Sequence, residues 1–287
     1  MNTIPEKMTR YAVATEFDGS AFHGWQRQDN APSVQACLED AWLSLTGEAI
    51  TLRGGSRTDA GVSAIAHVSD FASATSIPPD RIARAWNTKL PESVVVRAAV
   101  CVPNSFYARY DTLGKTYRYA ILTGETRPVI KRRTTAFVPG ELDVDAMRAA
   151  SENLLGTHDF SSFMDQGSPT KRLVRTLHDI QIDGCKELAI TMTADGFLYH
   201  MARIIAGTLV YVGQRKISVR ELASIIEARD RVCAGPTMPA EGLVLERVYF
   251  ASELFGDDCW PYEDERRESK RASLPLEEPP HSSRHED

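Results

Sequence analysis

The chain has 287 residues, 43% hydrophobic and 25% charged, and its 39 acidic side chains outnumber 33 basic ones for a formal net charge of −6. That profile excludes a collagen-like, coiled-coil or wholly disordered chain, and at roughly 150 residues per domain the length implies two domains. The sign of the charge speaks, on its face, against a nucleic-acid partner, because proteins that grip phosphates usually carry surplus Lys and Arg.

Arg10 to Phe17 alternates with Tyr11, Val13, Thr15 and Phe17 on one face, the period-2 pattern of a strand. After Pro32, Ser33 is placed to cap a helix whose apolar residues Val34, Cys37, Leu38, Ala41, Trp42 and Leu45 recur at helical spacing, with Gly47 closing it. Ile50 to Arg53 and Ile65 to Phe71 read as strands flanking a Gly-rich loop, Ile82 to Leu90 as a helix, and Val94 to Val102 as a β-branched strand. A second unit begins near Arg109. In it, Thr116 to Leu122 alternates with Tyr117, Tyr119 and Ile121 on one side, and Leu142 to Leu155 is a helix ended by Gly156. Val174 to Ile182 and Leu188 to Thr193 pair around an Asp183-Gly184 turn. Phe197 to Val212 follows as a helix with Leu198, Met201, Ala202, Ile205 and Leu209 on its buried stripe. Ser218 and Glu221 have the spacing of a capping box, and Leu243 to Phe250 is a last strand.

Runs of adjacent strands between helices predict an α+β fold with largely antiparallel sheets. The expected division is 1–108, 109–250 and an acidic stretch 251–287 that is rich in Glu, Asp, Arg, Ser and Pro and reads as a disordered tail. That stretch holds 11 acidic and 5 basic residues, the whole of the −6, so residues 1–250 are formally neutral. Five widely spaced cysteines without C-x-x-C or a Cys/His cluster predict neither a disulfide framework nor a zinc site. The polar stretch Met1 to Arg10 lacks the apolar core of a secretory signal, so a cytoplasmic location is expected. The longest apolar run, 197–212, is interrupted by His200 and Arg203 and is shorter than the ~20 residues a bilayer requires, so no membrane association is expected.

The segment with most chemistry is Arg53-Gly54-Gly55-Ser56-Arg57-Thr58-Asp59-Ala60-Gly61-Val62. Glycines there let the backbone present one carboxylate beside two guanidinium groups. A carboxylate near cations stays ionised and can serve as nucleophile or base. An ordinary turn, with Asp59 bonded to its own backbone, is the competing reading. Arg109-Tyr110-Asp111 and Lys115-Thr116-Tyr117-Arg118-Tyr119 interleave aromatics with cations, which suits stacking on a base and holding a phosphate. A half-buried strand with a solvated charged face fits equally. Between Arg109 and Arg133 seven Lys or Arg face two acids. Arg203 interrupts an apolar helix and is placed to pair with a carboxylate, or simply to reach water. Trp25-Gln26-Arg27 reads as a loop with an exposed aromatic and polar groups, in which Trp25 fits a packing residue as well as a ligand contact. No phosphate loop, dinucleotide fingerprint, metal-ligand His pair or G-x-S-x-G elbow is present, so cofactor-free chemistry is favoured.

In order, these segments resemble the tRNA pseudouridine synthase A family. The matching residues are Phe17-Asp18-Gly19, Gly24-Trp25-Gln26-Arg27-Gln28, Ser33-Val34-Gln35, Arg57-Thr58-Asp59-Ala60-Gly61-Val62, Asn87, Leu90-Pro91, Phe106, Ala108-Arg109 and Lys115-Thr116-Tyr117-Arg118-Tyr119. They continue with Gly156-Thr157-His158-Asp159-Phe160, Phe197, His200-Met201, Arg203, Gly207-Thr208-Leu209 and Gly242-Leu243. Ser63, Tyr107 and Ile204 depart from the family's usual His, His and Asn. The resemblance implies two α+β domains with a catalytic cleft between them and a homodimeric enzyme without metal or organic cofactor. It implies isomerisation of uridine to pseudouridine at positions 38 to 40 of the tRNA anticodon stem and loop. It also implies Asp59 as catalytic carboxylate, Arg203 as its basic partner and Tyr117 as the aromatic against the target base. Arg57, Arg109 and Lys115 are the expected RNA contacts. A non-catalytic tRNA-binding protein and a carboxylate-dependent hydrolase of small molecules are the alternatives on local chemistry.

Overall fold

The computed structural model describes residues 8–167, 170–256 and 259. It forms two compact units, one running to Leu113 and resuming at Leu245, the other from Gly114 to Val244. The expected divisions lay at 108/109 and 250/251. In the structure they fall inside two strands, and the C-terminal strand groups with the first unit.

The first unit carries β1 (Thr9–Phe17), α1 (Val34–Thr46), β2 (Arg53–Gly54), β3 (Ser63–Ser73), α2 (Pro79–Asn87), β4 (Val94–Cys101) and most of β10 (Leu243–Phe250). Its strand order is β4-β1-β3-β10, with β2 on β3. β1 is antiparallel to both β3 and β4. Ser33 caps α1 by accepting from Ala36 N at 3.2 Å, and Gly47 ends it in the left-handed conformation at φ 75°. Both are where the sequence puts them. The core is aromatic: Trp42 lies 4.6 Å from Trp86 and 5.1 Å from Phe71, and Trp86 Nε1 donates to Leu38 O at 3.0 Å, so its polar atom is satisfied in the interior. The first expected strand of the Gly-rich segment shrinks to two residues, because only Arg53 and Gly54 pair, opposite Asp70 and Ser69.

The second unit carries most of β5 (Thr112–Gly124), β6 (Ala136–Pro139), α3 (Val144–Ser151), β7 (Gly156–Asp159), β8 (Val174–Asp183), β9 (Glu187–Ala194), α4 (Met201–Gly213) and α5 (Glu221–Ala228). The order β5-β9-β8-β7 is antiparallel throughout. β6 joins β5 in parallel, from Ile121 opposite Ala136 to Gly124 opposite Pro139. β6 and β7 have no clear alternation and were not expected. α3 starts at Val144 because Asp143 caps it, accepting from Ala146 N at 3.1 Å, and it ends at Ser151 in a 3-10 turn. α4 begins at Met201 rather than Phe197, since His200 adopts a left-handed φ of 61° and breaks the run. From Met201 onward α4 is buried almost all round, as a helix apolar on every face must be. The reciprocal Ser218/Glu221 capping bonds are present, at 2.6 and 3.3 Å.

The expected tail falls mostly outside the described residues. Within 251–256, Phe255 is buried and Arg247 pairs with Glu253 at 3.7 Å, so the chain stays folded beyond the end of β10. Among the described residues no helix is long and apolar enough to cross a membrane.

Candidate active site

The Asp59 loop belongs to the first unit and is pinned along its backbone. Gly55 N donates to Val68 O at 2.8 Å, and Trp25 N to Thr58 O at 3.1 Å. Gly61 N donates to Phe22 O at 3.3 Å, and Val62 N to Asp59 O at 3.1 Å. The ring of buried His67 reaches Ser56 O at 2.8 Å and stacks on Trp25 with centroids 3.7 Å apart. Trp25 is 1% exposed, so it is a packing residue rather than an exposed ligand contact, and it forms a wall behind the loop. Gly19 makes a close approach that no side chain could allow, since a Cβ there would lie 2.1 Å from Val62 O. This accounts physically for glycine after Phe17-Asp18.

The start of the loop is held from α1. Glu39 Oε1 accepts from Leu52 N at 2.9 Å, and Gln35 Nε2 donates to Leu52 O at 3.1 Å. Arg27 is absorbed in the same network through Glu39 and Asp40, both at 2.7 Å. So fixed, the loop leaves Asp59 half-buried and Arg57 exposed, and Arg57 makes no hydrogen bond or ion pair among the described residues.

Asp70 is a buried carboxylate that sequence reasoning missed. Wholly buried in β3, it pairs with Arg10 at 2.5 Å and with Arg53 Nε at 2.9 Å, and accepts from Ala108 N at 2.9 Å. Arg10 and Arg53 also donate to the carbonyls of Asn104 and Phe106. The turn that exposes Arg109 is thereby tied to the strand beside the Asp59 loop. Burial pushes the Asp70 carboxyl up to about 6, against the Ala108 N–H and the Arg53 guanidinium that favour its charge. Nothing in the strand's pattern marks it out, since β3 also holds Ser63, His67, Ser69 and Ser73.

In the second unit, Tyr117 sits in β5 opposite Met192 of β9, buried, with its ring edge-to-face on Phe197 at 5.0 Å. The late start of α4 is what frees Phe197 for this contact. Lys115 is half-buried two residues before it. Tyr119 is a core pillar, wholly buried, its hydroxyl donating to Pro239 O at 2.7 Å.

Arg203 is half-buried on α4, where its Nε donates to Met238 O at 2.7 Å. The 235–238 segment can reach it because a Cβ on Gly207 would lie 1.9 Å from Pro236 O: the helix has no side chain where the segment crosses. Gly235 N donates to Thr208 Oγ1 at 2.9 Å, and that hydroxyl donates to Ile204 O at 2.8 Å. Gly207-Thr208 is thus a crossing point that sets the Arg203 guanidinium.

Asp165, also missed, secures the far end of the same segment. It bonds Thr237 Oγ1, His200 Nδ1 and Arg231 Nε, each at 2.7 Å. Partial burial alone would raise its carboxyl, but these three hydrogen bonds outweigh it and hold the group at about 2.

The three departures from the family pattern each have a structural task. Ser63 Oγ accepts from Gly19 N at 3.0 Å, Tyr107 lies under the Arg53 guanidinium at 3.7 Å, and Ile204 is wholly buried in α4. Among the described residues no cluster of His, Cys, Asp or Glu could hold a metal ion.

Each unit thus offers a rigid platform: a half-buried carboxylate on a pinned loop in the first, and an aromatic with a fixed guanidinium in the second. The family model described as tRNA pseudouridine synthase matches residues 13–111 and 150–251, and the chain belongs to that family. It is therefore an isomerase that converts uridine to pseudouridine in tRNA. This sets aside the binding-protein and hydrolase alternatives.

Among its relatives are proteins named tRNA pseudouridine synthase A from Acetivibrio thermocellus, Clostridium kluyveri and Caldicellulosiruptor bescii, at 43%, 41% and 40% identity. Each alignment spans 244 residues, 85% of this chain and 100% of the relative.

Proposed function

We propose that the enzyme acts on uridines 38 to 40 of the tRNA anticodon stem and loop, with Asp59 as the catalytic carboxylate. Arg203 completes the catalytic set, Tyr117 takes the target base, and Arg57, Arg109 and Lys115 hold the RNA. The observation that carries this reading is the Asp59 loop itself, whose backbone is fixed at residues 55, 56, 58, 61 and 62 while Asp59 stays half-buried rather than sealed in the core.

The reaction needs such a carboxylate. The C1′–N1 bond must break, the uracil must turn, and C1′ must bond to C5, with the C5 proton lost and N1 protonated. A carboxylate beside the ribose serves this either by attacking C1′ or by taking the 2′ proton. An aromatic against the base keeps it from escaping, and a uridine inside a stem must first leave its stack. A homodimer in the cytoplasm completes the proposal.

The test is release of tritium from tRNA labelled at uridine C5. Wild type should release it, and Asp59→Asn should release none while binding tRNA with similar affinity, because phosphate contacts supply much of that affinity. Release by Asp59→Asn at the wild-type rate would overturn the assignment. Pseudouridine mapping outside positions 38 to 40 would overturn the site choice.

A further inference from the structure

Residues 125–135 of the second unit join β5 to β6, and these strands are parallel. A parallel pair cannot be closed by a tight turn, and the chain must travel back before it can pair again. That requirement explains the length of the connection. It does not explain its composition.

From Thr126 to Thr135 the segment reads Thr-Arg-Pro-Val-Ile-Lys-Arg-Arg-Thr-Thr, without a single acid. Arg127, Arg132 and Arg133 are all exposed, and none of them forms an ion pair among the described residues. Between them stand Val129 and Ile130, 61% and 92% exposed. Two adjacent exposed apolar side chains thus stand among these three guanidiniums, a combination suited to a partner that is both anionic and aromatic.

The loop is also built to hold its shape. Thr134 N and Thr135 N both donate to Lys131 O at 3.0 Å, and Arg132 Nη1 donates to Val129 O at 2.9 Å. Lys131 spends its charge on an anchor, pairing with Glu187 at the start of β9 at 2.5 Å. One cation therefore fastens the loop while three guanidiniums and two apolar side chains face outward. Guanidinium is the cation whose planar fork matches a phosphate.

We propose that this crossover loop is an RNA-gripping surface, in which Arg127, Arg132 and Arg133 take backbone phosphates of the tRNA and Ile130 packs against an exposed ribose or base. It rests on the tRNA activity of the family and not on the roles assigned to Asp59, Arg203 or Tyr117.

The experiment is tRNA binding by the triple variant R127A/R132A/R133A across a salt series, with tritium release at saturating tRNA measured alongside. Each lost phosphate contact lowers the slope of log affinity against log salt by about 0.7 to 0.9, so the slope should fall by about 2 to 3. Affinity at low salt should drop at least tenfold, while the maximal rate stays at the wild-type level. An unchanged slope and affinity in a folded variant would overturn the proposal. A lost maximal rate with unchanged affinity would place the loop in the chemistry instead, which also overturns it.

A second arm keeps the charges and replaces Ile130 with a photo-crosslinking residue in the full chain. Crosslinking to tRNA is expected. Crosslinking only to another protein molecule would assign the surface to a protein partner and overturn the RNA reading. Wild-type protein inactive on every tRNA would instead undermine the assigned activity, a separate failure.

Discussion

Asp70 organises the turn before Arg109 from inside the first unit. Buried and flanked by two guanidiniums, it is stable as an anion only while both remain. Its carboxyl is raised to about 6, so between about pH 4 and 6 the fold keeps a proton that the unfolded chain releases, and ionising it costs stability as pH rises. Removing one guanidinium should raise it further. Arg53→Met is therefore expected to cost about 3 kcal/mol or more at pH 8, where the carboxylate is left half-paired, and clearly less at pH 5, where Asp70 is neutral. Denaturant melts at the two pH values check this, and equal losses would mean that Asp70 is not the partner that matters. Asp59 and Arg203 were conspicuous in the sequence as candidates because they stand where polar residues interrupt glycine-rich or apolar runs. Asp70 and Asp165 were not, since their partners lie on elements distant in sequence and only folding brings them together.

At the scale of elements, α4 and its crossing segment form one device. Helical spacing marks Met201, Ala202, Ile205 and Leu209 as buried, and they are, but α4 is buried almost all round and the pattern could not reveal that Phe197 to His200, Leu198 of the expected stripe included, lies outside the helix. The apolar residues continue there for another reason: Phe197 packs on Tyr117 of β5, and Leu198 is buried. The helix ends that were legible are those with a local signature of their own, the Ser33 cap and the left-handed Gly47 of α1 and the Ser218/Glu221 pair before α5. Gly207→Ala offers a direct probe, because its new methyl would meet the Pro236 carbonyl at 1.9 Å and the 235–238 segment must move. We expect a drop of at least tenfold in tritium-release rate with a smaller change in tRNA affinity, since Arg203 loses the Met238 carbonyl that orients it. Steady-state rates and binding measured on the same preparation separate the two effects. A wild-type rate would show that the segment does not set Arg203.

For the molecule as a whole, net charge described one end of the sequence. Residues 1–250 are neutral and hold their cations in groups, of which the β5–β6 crossover is the clearest. The boundary of the fold, however, lies past Phe250. Phe255 is buried at 7% exposure, and Arg247 pairs with Glu253. Truncation after Gly256 should keep full stability and activity and leave tRNA binding equal or tighter, as repulsion from the acidic stretch is removed. Truncation after Phe250 should instead lower stability by roughly 2 kcal/mol, the cost of losing one buried aromatic's contact. Thermal melts and binding curves of the two truncated chains distinguish these outcomes.

The Asp70 clamp has one further consequence, for time rather than strength. It gathers Arg10, Arg53, Asn104, Phe106 and Ala108 around a single carboxylate, across as many as 94 positions of sequence. Contacts so remote cost loop-closure entropy before they reward the chain. If the clamp lies outside the folding nucleus, its loss should mainly speed unfolding. Unfolding and refolding rates of Arg53→Met, measured by stopped flow, are expected to show the larger change in the unfolding arm, and a change confined to refolding would place the clamp in the nucleus.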